Sequence, residues 1–149
     1  MAPFDTILVT TDLSDSSAPA LEPALAIASR FGSRLLVVHV VEDRLPPFVD
    51  EFTAVPFEEI LQAQERRAAE ALQAFLAARL PAGSPAESVV LHGTPHLEIV
   101  RLAEERGAGL IVLATHGHGF LAHALFGSTT ERVLRRAPCP VLTVRSHPA

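Results

Sequence analysis

Two stretches of the chain carry backbone and side chains able to hold an anion. One is Thr10-Thr11-Asp12, closing the apolar run TILVT. The other is ATHGHGFLAHALFGST, Ala114 to Thr129, which follows the apolar run LIVLA. Gly117 has no Cβ to keep its backbone away from a ligand and takes positive φ without strain. Ten residues on, Gly127 precedes Ser128, Thr129 and Thr130 at the start of a helical pattern, where amide hydrogens without helical partners and the partial positive charge of a helix end favour phosphate. All 12 basic residues are arginine and none is lysine, which excludes P-loop and Schiff-base lysine chemistry. Phosphate would have to be held by amides, hydroxyls, Arg, His or a metal. The same residues also fit a reading with no ligand: Ser128 and Glu131 have the S-x-x-E spacing of a capping box, which still leaves the Thr129 and Thr130 amides available. His116, His118 and His123, with His92 and His96 upstream, offer imidazoles for Zn²⁺ or Ni²⁺, but in a spacing that matches no established ligand pattern; exposed or hydrogen-bonded loop histidines are the alternative.

These residues need elements to position them. Thr6–Thr10, Arg34–Val41, Val89–Leu91, Leu110–Ala114 and Val141–Val144 are short apolar runs of the kind found in a parallel sheet covered on both faces. Amphipathic helical patterns separate them. Ala18, Leu21, Leu25, Ala28 and Phe31 share one face of the first, with Ser14 as N-cap and Gly32 as stop. The second runs from Phe57 to Leu80 with Leu61, Ala68, Leu72, Phe75 and Leu76 on its apolar side. The third has Thr94 as cap, Pro95 in its first turn, Ile99, Val100 and Ala103 inward, and Gly107 beyond its end. The fourth is Ser128 to Arg136, stopped before Pro138. Strand–helix alternation with right-handed crossovers predicts an open, doubly wound α/β domain, a five-stranded parallel sheet with helices on both faces, its order 3-2-1-4-5 if strands 1 and 4 are neighbours. Ligands of such sheets bind beyond the carboxyl ends of the strands where the order reverses. There the residues leaving strands 1 and 4 share one crevice. The segment 42–56, EDRLPPFVDEFTAVP, reads either as a lid over the strand ends or as a wandering surface loop.

Composition bounds the partners. A chain of 149 residues with 48% hydrophobic content reads as a single domain, 1–149, with enough apolar side chains for a core. Seventeen acidic residues against 12 basic ones leave a formal charge of -5, so there is no basic field for a nucleic-acid backbone. No apolar segment approaches the roughly 20 residues that span a bilayer, and MAPFDT lacks the charged and apolar regions of a signal peptide. A cytoplasmic protein with no membrane partner is expected. Cys139 stands alone, which excludes an internal disulfide and a cysteine-based zinc cage and reads as a buried, inert thiol.

Three blocks, ILVTTDLSDSS, HGTPHLEIVRLAEERGAGLIVLATHGHG and FGSTTERVLRRAPCPVLTVR, occur in the order seen in the universal stress protein family, which the chain resembles over nearly its whole length. The nucleotide-binding branch carries a signature of Gly, two residues, Gly, nine residues, then Gly followed by Ser or Thr. Laid on this chain it places the second glycine at Gly117 and the last pair at Gly127 and Ser128, while the first glycine falls on Ala114, whose methyl is a departure. The resemblance implies an adenine nucleotide-binding stress-response and signalling module, with ATP, or ADP or AMP, at the ends of strands 1 and 4. It implies Asp12 on the ribose or on a metal-bound water, Thr10 and Thr11 beside the base, the Val40 backbone on adenine, and Leu113 under it. Asp12 reads equally as a turn former or helix cap, and Leu113 as core. His116, Gly117, Gly127, Ser128, Thr129 and Thr130 would surround the phosphates, which with water would carry Mg²⁺ or Mn²⁺. A homodimer through Val141, Leu142, Thr143 and Val144 is implied as well, with an unknown protein partner. The alternatives are a nucleotide-independent scaffold whose site is degenerate and a slow ATPase, for which Asp12 and His116 are the only evident acid–base candidates.

Overall fold

The computed structural model describes residues 3–42, 55–116 and 126–146. Gly117, His118, His123 and nearly all of the 42–56 segment lie outside them. Five parallel strands, β1 (Thr6–Thr10), β2 (Arg34–Val41), β3 (Ala86–His92), β4 (Leu110–Ala114) and β5 (Val141–Val144), form one sheet in the order β3-β2-β1-β4-β5. This is the expected doubly wound α/β fold. β3 is longer than the apolar run Val89–Leu91 because all of Ala86–His92 pairs with Leu35–Val41. As an edge strand it carries polar Glu87 and Ser88 in its ladder, which hide it from a search for hydrophobic runs.

Alternation along the strands feeds two cores. Ile7, Val9, Leu35, Val37, Val112 and Ala114 face α1 (Leu21–Phe31) and α2 (Phe57–Arg79). Leu8, Leu36, Val38, Val40, Ile111 and Leu113 face α3 (Pro95–Arg106) and α4 (Ser128–Arg136). Because both faces are covered, β4 is buried from end to end.

Four expectations are corrected. Ser14 does not cap α1. Its side chain turns back to Asp12, and a 3-10 turn over Ala18–Ala20, containing Pro19, precedes the helix. Phe31 ends α1 outside the core, 57% exposed and edge-on to Phe4 with ring centroids 5.2 Å apart. Phe57 is 49% exposed and Leu61 is only half-buried, while Leu72, Phe75 and Leu76 are the buried residues of α2. A 23-residue helix is about 34 Å long. Eight-residue β2 spans about 26 Å, so the first turns of α2 run past the sheet. In α3, Ile99, Leu102 and Ala103 are buried and Val100 is only partly so. The left-handed C-caps at Gly32 (φ 66°) and Gly107 (φ 61°) stop α1 and α3 where expected. Gly109 also permits a close approach, since a Cβ there would lie 1.9 Å from the Pro3 carbonyl oxygen.

Candidate functional site

The chain leaves β1 toward α1 on one face of the sheet and leaves β4 toward α4 on the other. Between these exits is a cavity of about 690 Å³, within the size range of small-molecule sites. Thr10, Thr11 and Asp12 line it from β1, Val40 from β2, Leu113, Ala114 and His116 from β4 and the residue after it, and Gly127, Ser128, Thr129 and Thr130 from α4. The described residues that the nucleotide-binding resemblance singles out are therefore brought to one place, while His92 and His96 do not line it; Gly117 lies outside the described residues. Val40 and Leu113 hold the side chains they present within the α3–α4 core at 9% and 2% exposure. The methyl of Ala114 belongs to the core on the α1 face, opposite Val40 and Leu113.

The β1 exit is a chain of committed hydrogen bonds. Asp12 Oδ1 accepts from Ser14 N–H at 3.0 Å and from the Ser14 hydroxyl, an Asx turn, so the turn-forming reading of Asp12 holds locally. Leu13 sits in that turn at φ 67°, a left-handed conformation that costs a branched side chain about 1–2 kcal/mol. Its N–H donates to Thr11 Oγ1 at 3.0 Å, which helps hold it there. Ser17 Oγ donates to the Ser14 carbonyl, so the Thr11 hydroxyl must donate to Ser17 Oγ at 2.7 Å. Neither hydroxyl keeps a proton for a ligand.

The β4 exit is held from two sides. Thr130 Oγ1 donates to the Ala114 carbonyl at 2.8 Å, and Gly127 N–H donates to the Thr115 carbonyl at 2.6 Å. On the other side Thr115 N–H donates to the Val144 carbonyl at 2.9 Å, and Ser146 N–H donates to Thr115 Oγ1 at 3.1 Å. Ser146 Oγ, within reach of the Ser16 and His116 carbonyls, accepts from His116 N–H. The N-cap of α4 is Gly127, with no side-chain cap, and Glu131 Oε1 pairs instead with Arg135 at 2.9 Å. The Ser128–Glu131 capping box that the S-x-x-E spacing allowed is therefore absent: with Gly127 N–H bonded to Thr115, α4 begins at Ser128, as its sequence pattern has it. The first ladder bond runs from Glu131 N–H to the Gly127 carbonyl, leaving the Ser128, Thr129 and Thr130 amides outside the helix's own pattern.

Sequence reasoning missed Ser17, Val38, His39, Val41, Glu42, Pro95 and Ile99, which also line the cavity. His39 was the readable one, a single polar side chain in RLLVVHVV. Its Nδ1 lies 2.9 Å from the Thr11 carbonyl, which can only accept, so Nδ1 carries the proton. His96, at the start of α3, is kept below the ordinary histidine pKa by burial and by the charges of Arg132 and Arg136. Burial pushes the Cys139 thiol up. Among the described residues no three His, Cys, Asp or Glu side chains group to hold a metal ion, and no helix is long and apolar enough to cross a membrane.

A model of the universal stress protein family matches residues 3–145. The chain belongs to the universal stress protein family. It is 38% identical over 143 residues to a universal stress protein of Thermus aquaticus, covering 95% of this chain and 99% of that one. The structure of universal stress protein UspA from Lactobacillus plantarum superposes with a TM-score of 0.76 at 27% identity, over 97% of this chain and 100% of that one. A universal stress protein whose crystal structure is a complex with cAMP gives a TM-score of 0.62 at 26% identity, over 97% of this chain and 98% of that one. In this family member the junction between β4 and α4 rests on the buried Thr130 hydroxyl. Thr130→Val should lower unfolding free energy by about 1–3 kcal/mol, because it leaves the Ala114 carbonyl without its donor. Thr130→Ser should keep most of the stability. Urea denaturation reads the difference, and a valine variant as stable as the parent would contradict the assignment.

Proposed function

We propose that the protein is a nucleotide-dependent stress-response module that holds an adenine nucleotide, ATP among them, in the cavity between β1 and β4. The observation that carries this reading is the set of three amides, Ser128, Thr129 and Thr130, standing outside the helix ladder beside Asp12 in one cavity. Val40 and Leu113 give the cavity an apolar wall for a base, and Asp12 offers a carboxylate to ribose hydroxyls. The complex of a relative with cAMP supports the ligand class. Gly117 belongs to the same proposal by its place in the signature. Mg²⁺ or Mn²⁺ would be carried by phosphate oxygens and water, with Asp12 as the carboxylate able to hold such a water. Equilibrium binding of ATP with Mg²⁺ to nucleotide-stripped protein should be saturable below millimolar concentration, and Asp12→Asn should weaken it about 10-fold, the loss of about 1.4 kcal/mol. No binding at millimolar ATP would contradict the reading.

The edge strand β5 supports a homodimer. Ile111 N–H donates to the Pro140 carbonyl and Thr115 N–H to the Val144 carbonyl, so even-numbered residues of β5 face β4. Val141 and Thr143 accordingly turn their backbone groups outward, free to pair antiparallel with a second copy across a two-fold axis. Thr143→Pro removes one outward N–H and no bond to β4. It should yield monomers by light scattering, and an unchanged dimer mass would reject this interface.

A further inference from the structure

Past the last paired residues of β4 and β5 the two chains are joined through side chains. Thr115 N–H donates to the Val144 carbonyl, as the next backbone rung would, but the Thr115 carbonyl is taken by Gly127 on the other side. Ser146 N–H therefore bonds the Thr115 hydroxyl, at 3.1 Å. That bond sets Ser146 beside the β4 exit with its own hydroxyl still to be satisfied.

The hydroxyl reaches the opposite wall. Ser146 Oγ lies 2.8 Å from the Ser16 carbonyl and 3.2 Å from the His116 carbonyl, and its single proton goes to the nearer of the two. The same oxygen accepts from His116 N–H at 3.2 Å. One side chain thus joins the β1 exit to the β4 exit. Asp12, Ser17 and His116 line the cavity beside this bridge, while Ser146 is not among the described residues that line it. Ser16 precedes Ser17, whose hydroxyl donates to the Ser14 carbonyl and takes the Thr11 proton. Ser14 in turn holds Asp12. A displacement of Ser16 would therefore reach both Thr11 and Asp12. Apolar packing supports the bridge, with Ala18 and Val144 set against one core.

We infer that Ser146 is a positioning residue of the site, which, on the nucleotide reading above, touches no ligand and fixes the separation of the two walls that do. Walls already spaced leave less freedom to be lost on binding. Backbone amide exchange of the full-length protein by NMR, with titration of ATP and Mg²⁺ into nucleotide-stripped protein, tests it. Ser146→Ala should speed exchange of the Ser14 and Ser17 amides at least about 5-fold, while the buried β4 amides exchange as in the parent. It should also raise the Kd for ATP about 5-fold, the effect of one lost neutral hydrogen bond, mainly through faster release. Ser146→Thr keeps the hydroxyl and should restore both. Parent-like exchange at Ser14 and Ser17 in the alanine variant overturns the bridge, and a parent-like Kd overturns its role in binding. Faster exchange throughout β4 overturns positioning in favour of a general loss of stability. If the parent itself binds no ATP, the nucleotide reading falls, and the exchange rates alone decide the bridge.

Discussion

The carbonyls of Ala114 and Thr115, the last of β4 and the first beyond it, are both taken up by the start of α4. Thr130 supplies a hydroxyl to one and Gly127 an amide to the other. Those two bonds decide where the helix begins. With Gly127 as N-cap there is no side chain to turn back on the first turn, so the next three amides stay outside the ladder at the mouth of the cavity. Had Ser128 been the cap, its hydroxyl would have competed for one of them.

The sheet makes that junction stiff. β4 is buried on both faces between β1 and β5, and its exit is tied to the end of β5 through Val144 and Ser146 as well as to α4. The β1 exit is ordered differently, by side chains that close on one another around Leu13. The cavity therefore lies between one wall of fixed backbone and one wall of hydroxyls and a carboxylate whose hydrogen bonds are already assigned. Such preorganisation favours affinity, since little ordering remains to be done on binding.

Much of this was legible in the sequence because it depends on local pattern. Apolar runs marked β1, β2, β4 and β5, glycines marked the ends of α1 and α3, and topology then brought Asp12 and Ala114 to one crevice, to which the family resemblance added Val40 and Leu113. The bounds of β3 were not legible, since polar Glu87 and Ser88 pair within an edge ladder. The bounds of α4 were legible, but the capping-box reading failed because S-x-x-E is a local signal, while the Thr115 carbonyl that recruits Gly127 lies 12 positions upstream. Ser146 was invisible for the same reason: its partner Ser16 is separated from it by 130 positions. His39 was visible and overlooked, a lone polar side chain in an apolar strand. Phe57 followed helical periodicity faithfully but lay beyond the reach of the sheet, which periodicity cannot measure, and Phe31 ends α1 outside the core.

The central claim is that the Ser128, Thr129 and Thr130 amides grip the anion while the Gly127 amide stays on Thr115. Titrating ¹⁵N-labelled protein with AMP and following backbone amide protons by NMR tests it directly. The account predicts the largest downfield shifts at Ser128, Thr129 and Thr130, with the Gly127 amide keeping its slow hydrogen exchange. Saturable binding that leaves those three resonances in place would contradict it.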